Sequence, residues 1–180
     1  MKSIIFIPIK DYLKSRKNLF SKFITPLLVS LISLVGALIF DIGDADQVMS
    51  VFSEFIGVQI NIVAILVSFS VAIITILVSA DNKNIQQLKC AVSDAKRYRK
   101  INGKALSLFQ VLLSNIAYNV VVEVVYLMFL IGIVLIKVLF PIHILKYIVA
   151  FCIFIILHIL LVLLESVSQM YLTFWENKTT

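Results

Sequence analysis

Six polar side chains inside long apolar runs have the most chemistry to offer. Asn115, Asn119 and Glu123 recur at steps of four, which places them on one face of a helix. His158, Glu165 and Gln169 follow at steps of seven and four, again on one face. Ionisable groups within a bilayer are rare, and a functional role is the default hypothesis for them. Two carboxylates and an imidazole could form a cation-attracting mouth or a protonatable site. Burial beside a like charge would raise a carboxyl pKa, so that one of the pair is neutral. Two structural readings compete with this one. The helices extend beyond the membrane and the carboxylates are wet, or they hydrogen-bond to Asn119, Ser166 or Gln169 inside a bundle. No third polar group at fixed spacing completes a hydrolytic or metal site. His143 and His158 are isolated, and no HExxH, glycine-rich phosphate loop or nucleophile elbow occurs. The expectation is a protein that is not an enzyme and uses no metal or cofactor.

A second pattern is longer. Gly57, Asn61, Ala64, Ser68, Ala72, Thr75 and Ser79 follow one another at steps of 4, 3, 4, 4, 3 and 4. That is one helix face, small or hydroxylated from end to end, on a segment otherwise rich in Ile, Val, Leu and Phe. Close helix packing is one reading, since small residues let backbones approach and Ser, Thr and Asn hydrogen-bond across helices. The other is a water-lined path, with one stripe from each subunit around a central axis.

The elements that position these residues follow from composition. The chain is 61% hydrophobic and only 14% charged, against about 45–50% and 25% in soluble domains. A water-exposed surface cannot absorb that excess, whereas lipid can. The apolar residues lie in unbroken runs rather than alternating ten-residue segments, so helices are expected and a barrel is not. The fold expected is an all-α membrane protein of four transmembrane helices. The runs are 23–40, 55–80, 105–140 and, after Pro141, 142–172. The two cysteines, Cys90 and Cys152, sit in a basic polar stretch and an apolar run, which argues against a disulfide.

The positive charges orient the spans. Six basic residues (Lys2, Lys10, Lys14, Arg16, Lys17 and Lys22) precede the first run. Seven more lie at 81–104, leaving three of the sixteen elsewhere. The positive-inside rule therefore puts both termini and the 81–104 segment in the cytoplasm. The resulting organisation is a basic cytoplasmic or interfacial segment at 1–22, helices one and two within 23–80, a basic cytoplasmic segment at 81–104, helices three and four within 105–174, and a tail at 175–180. With Lys137 at the outer interface, Glu123 lies about 9 Å inside the inner one, and Glu165 at a similar depth. Anionic lipid accounts for basic segments on an inner face. An acidic or phosphorylated partner is the alternative, through Lys89, Lys96, Arg97, Arg99 and Lys100, the last three of which crowd around Tyr98.

Within 81–104, Ile85, Leu88, Val92 and Ala95 recur at helical spacing, which predicts a basic amphipathic helix running to a stop at Asn102-Gly103. It cannot continue the second span, because the third would lack the length to return. A break near residues 81–84 is expected, with the helix on the membrane or folded against the third helix. The segment 9–20, with Tyr12, Leu13 and Phe20 among basic residues, is expected in the interface.

The stretches SFSVAIITILVSADNKNIQQLK (68–89) and LLSNIAYNVVVEVV (112–125) resemble small four-helix membrane proteins of bacterial anti-phage defence loci, of the Kiwa type. Channel subunits of other defence systems, such as Hailong, have the same broad pattern. The resemblance covers the middle third of the chain and carries over no catalytic residue. It implies a homo-oligomer, a tetramer, in the bacterial inner membrane. It also implies a cytoplasmic protein partner that binds DNA, so that the chain itself does not contact nucleic acid. The function expected is a sensor, scaffold or pore in defence. The alternative is a small ion channel, transporter or accessory subunit outside defence.

Overall fold

The computed structural model describes residues 6–39, 44–79, 83–93, 97–100 and 103–176, with the side chains of all but 84, 138 and 172–176. The described residues are mainly helical: α1 (Ile7–Ser15), α2 (Phe20–Ile39), α3 (Ala45–Ser79), α4 (Lys83–Cys90), α5 (Leu108–Ile136), a 3-10 turn (Lys137–Leu139) and α6 (Ile142–Glu176). Four of them, α2, α3, α5 and α6, are long and apolar enough to cross a membrane. Much of their surface is exposed Ile, Leu and Val, such as Ile32, Ile65, Val78 and Leu135. Lipid is the solvent that such a surface fits.

The chain divides into two units. The first comprises Met1–Leu19, Ser68–Val122 and Leu160–Thr180, and the second Phe20–Val67 and Glu123–Ile159. In the first unit, Leu77 of α3, Ile85 and Leu88 of α4, and Leu112 and Ile116 of α5 form one buried cluster. A second cluster joins Tyr12 of α1, Tyr118 of α5 and Val162 of α6. So α4 folds against α5, one of the two placements expected for it. Tyr12 is fully buried and stacks on Tyr118, with ring centroids 3.9 Å apart, so α1 is packed into the unit by that ring.

The helix expected through Ile101 is shorter than its periodicity implied. It stops at Cys90, and only the Ile85 and Leu88 half of the stripe is buried. Val92 is exposed and pairs its backbone with Ser107 in an isolated antiparallel bridge, while Ala95 lies outside the described residues. Ser93 N–H donates to the Leu106 carbonyl at 2.9 Å, and Leu108 N–H to the Ala91 carbonyl at 2.9 Å. These bonds satisfy backbone groups that a continuing helix would have paired differently. The Gly103 turn has φ +78°, a left-handed conformation that glycine adopts without a Cβ penalty.

The third span begins at a cap. The Ser107 hydroxyl accepts the Gln110 N–H at 3.2 Å, and the Gln110 side-chain carbonyl accepts the Ser107 N–H at 3.0 Å. This is a reciprocal capping box, in which two N–H groups without helical partners are satisfied together. At the far end, α5 tightens into the 3-10 turn, and Pro141 separates it from α6. Pro26 is buried inside α2, where it removes one backbone donor.

In the second unit, Phe23 of α2 stacks on His158 of α6 with centroids 4.5 Å apart, and Phe129 meets Phe151 edge-on. The Tyr126 hydroxyl lies within hydrogen-bond reach of Gln59 Oε1 (3.3 Å) and the Cys152 carbonyl (3.2 Å). Lys137 Nζ donates to Ser53 Oγ at 2.9 Å.

Candidate functional site

The most concentrated polar chemistry lies in the first unit, around Arg16. This residue follows α1, and its backbone pairs with Tyr98 in an antiparallel bridge. Lys17 N–H donates to the Arg97 carbonyl (3.1 Å), and Arg99 N–H to the Ser15 carbonyl (2.7 Å). The end of α1 is thereby zipped to the strap 97–100. The Arg16 side chain turns inward and is only 3% exposed. Its Nη1 donates to Glu165 Oε2 of α6 at 2.8 Å, and its Nη2 to Asn115 Oδ1 of α5 at 3.0 Å. Its guanidinium carbon sits 4.4 Å from the Tyr12 ring centroid and 5.7 Å from that of Tyr98. A guanidinium can do both at once, because its edge donates hydrogen bonds while its face stacks on aromatic rings. Gln169 of α6 completes the shell: its Nε2 donates to the Tyr98 hydroxyl and lies 3.4 Å from Glu165 Oε1.

Such a pair is costly to build. Taking both charges out of water costs several kcal/mol per ion, about repaid only when geometry and further hydrogen bonds are good. Here the Glu165 side chain is 11% exposed, and each oxygen has a donor. Around it, Arg16 Nε and the Tyr12 hydroxyl are buried with no hydrogen-bond partner among the described residues. Burial raises the pKa of both Tyr12 and Tyr98, against the lowering influence of Arg16 beside them. Both phenols therefore stay neutral at physiological pH and act as stacking and hydrogen-bonding groups.

The residues singled out in the sequence fall into three groups. Asn115, Asn119, Glu123 and His158 are all buried, so the polar faces of α5 and α6 point inward. Glu165 is not wet but bridged to Arg16, with Gln169 beside it, which is the hydrogen-bonded reading. Glu123 belongs to the second unit. The stripe on α3 faces the other way. Gly57, Asn61 and Ala64 of the second unit, and Ser68, Ala72, Thr75 and Ser79 of the first, are all exposed on the single chain. The face that packs inward carries Phe52, Ile56, Gln59, Val63, Ser70 and Leu77 instead. Thr75 and Ser79 direct their hydroxyls to the carbonyls of Val71 and Thr75 on their own helix. The third group is basic: Lys89, Arg97, Arg99 and Lys100 are exposed, with Lys89 Nζ 5.5 Å above the Phe109 ring, and Lys96 lies outside the described residues. Among the described residues, no three His, Cys, Asp or Glu side chains gather as a metal site would require.

Arg16, Tyr12, Tyr98 and Tyr118 are site residues that sequence reasoning missed. Arg16 was one of six similar N-terminal charges, and nothing in its neighbours sets it apart. The signal available was on the other side: Asn115, Tyr118 and Asn119 make one half-polar helix face that needed a donor.

No family model matches the chain, and neither a curated protein nor a solved structure is similar to it.

Proposed function

We propose that the chain is a multi-pass subunit of the bacterial inner membrane, with both termini and residues 81–104 in the cytoplasm. It forms a homo-oligomer and acts in anti-phage defence as a sensor or scaffold. It passes a signal between its membrane helices and a cytoplasmic partner that binds nucleic acid. The observation that supports this best is the place of Arg16. One side chain ties the N-terminal segment and the strap 97–100 to α5 and α6. The same strap presents Arg97, Arg99 and Lys100 outward, where they suit acidic side chains or phosphates. A force on the strap is thus transmitted to Arg16 and then to two membrane helices. Arg16 Nε and the Tyr12 hydroxyl, buried without partners among the described residues, fit an element with a second arrangement near in energy. The defence role rests on the resemblance of 68–89 and 112–125, and the orientation on the lysine and arginine distribution. The reading assigns the chain no catalytic step, no cofactor and no nucleic-acid contact of its own.

The test uses the gene with its genomic neighbour. Cells carrying both should resist phage, and the neighbour's product should co-elute with the membrane protein. Arg97→Lys with Arg99→Lys should abolish co-elution while membrane levels stay unchanged. Undiminished co-elution after every basic residue of 89–104 becomes alanine refutes the dock, and absence of protection by the wild type refutes the defence role. Labelling of Cys90 by a membrane-impermeant maleimide in intact cells would reverse the orientation.

The exposed small-residue face of α3 supports a second reading, an ion channel in which copies of α3 surround a water path. Purified protein in planar bilayers then conducts, and Ser68→Leu blocks the current.

A further inference from the structure

The second unit holds a cavity of about 640 Å³ among the end of α2 and the first turns of α3 and α6. That is within the range of small-molecule sites, about 300–1,000 Å³. Its walls are apolar, including Val51, Phe52 and Phe55 of α3 and Val149 of α6. Two basic side chains interrupt them, His143 and Lys146, both on the first turns of α6. Among the described residues no carboxylate lines the cavity. Asp44 and Asp46 are exposed nearby in sequence, but neither is a lining residue.

Lys146 is half-buried, and it makes no hydrogen bond or ion pair with any described residue. Its position differs from that of Lys137 in the same unit, whose ammonium donates to Ser53. A cation held against an apolar wall is disfavoured unless an anion accompanies it. The start of α6 adds to the demand, because the N-terminal end of a helix carries partial positive charge.

We propose that this cavity binds one anionic glycerophospholipid, with its phosphodiester at Lys146 and His143 and an acyl chain among Val51, Phe52, Phe55 and Val149. The chemistry selects the ligand by exclusion. A free phosphate or nucleotide would leave the apolar walls unused. A neutral hydrocarbon would leave the ammonium without an anion. A zwitterionic headgroup brings a cation of its own, and no carboxylate among the described lining residues receives it. Lys146 lies about one helical turn, or 6 Å, inside the start of α6, a depth suited to headgroup contact. The proposal rests on the membrane-spanning helices and is independent of any role in defence.

The full-length protein, purified in mild detergent and stripped of lipid, is titrated with phosphatidylglycerol, with phosphatidylethanolamine of the same acyl chains, and with glycerol 3-phosphate. Native mass spectrometry counts the adducts, and thermal melting follows stabilisation. Wild type should retain one phosphatidylglycerol in preference to phosphatidylethanolamine, and glycerol 3-phosphate should shift nothing. Lys146→Ala should weaken phosphatidylglycerol by about tenfold or more, the weight of a charge-assisted hydrogen bond, and leave phosphatidylethanolamine unchanged. Val149→Trp, which fills the cavity, should lose both lipids. Should that variant fail to fold, Lys146→Ala decides alone. Equal retention of the two lipids by wild type overturns the proposal. So does a phosphatidylglycerol preference that survives Lys146→Ala, or a shift by glycerol 3-phosphate as large as by the lipid.

Discussion

Two basic side chains, one in each unit, stand in opposite surroundings. In the first, Arg16 is surrounded by protein: a carboxylate, an amide oxygen and two aromatic faces. In the second, Lys146 is half-buried beside an apolar cavity with no partner among the described residues. The difference teaches where each unit's stability comes from. The first unit joins four chain segments through polar contacts around Arg16, so losing that side chain leaves several groups unsatisfied. The second unit relies on apolar and aromatic packing with single polar bonds, and its free cation calls for something from outside.

The comparison can be broken most directly at Arg16. Arg16→Ala leaves Glu165 buried without its cation and should cost about 3–5 kcal/mol in a reversible denaturation assay. Arg16→Met together with Glu165→Leu should recover most of that, because no uncompensated charge remains. If the single and double variants melt alike, the pair is not what holds the first unit.

The matching cut in the second unit is Tyr126→Phe. One hydroxyl proton serves both Gln59 and the Cys152 carbonyl, so its removal strands at least one buried acceptor. The expected loss is about 1–3 kcal/mol, smaller than at Arg16 because no charge is exposed. A loss equal to that of Arg16→Ala would erase the distinction between the units.

A weaker effect is expected at the cap of α5. Ser107→Ala removes the hydroxyl that accepts the Gln110 N–H, at a cost of about 1 kcal/mol. Hydrogen exchange should rise at the first turn of α5 and in the strap closed by Val92 and Ser107, and stay unchanged at Tyr126. Uniform exchange throughout would argue against the capping box as the anchor of the strap.

The smallest effect on stability should come from the α3 stripe. Ser68 and Val71 are both exposed on the single chain, so Ser68→Leu and Val71→Leu should each shift monomer stability by less than about 0.5 kcal/mol. Their effects on assembly should differ: Ser68→Leu should change the oligomer seen by size-exclusion with light scattering, and Val71→Leu should not. Equal behaviour would remove the small-residue face as a contact between copies.

Much of the architecture was legible in the residues. Four apolar runs became four long helices because a run of about 20 such residues has one good solution in lipid. The polar face of α5 was readable because a period near 3.6 fixes which residues share a side, and Asn115, Asn119 and Glu123 are each buried. The break expected near residues 81–84 falls partly on residues 80–82, which lie outside the described residues; α3 is described to Ser79 and α4 from Lys83. What periodicity cannot carry is the identity of the neighbour. The α3 stripe has a clear phase, yet it faces outward on the chain, because Gln59, Val63 and Leu77 supply the inner face. The end of α4 was decided by backbone pairing between Val92 and Ser107, fifteen residues apart, which no local pattern encodes. Arg16 and Arg99 are chemically the same residue in similar basic stretches. Only the tertiary contacts bury the first between Glu165 and Asn115 and leave the second exposed, because a guanidinium's role is set by which acceptors the fold brings to it.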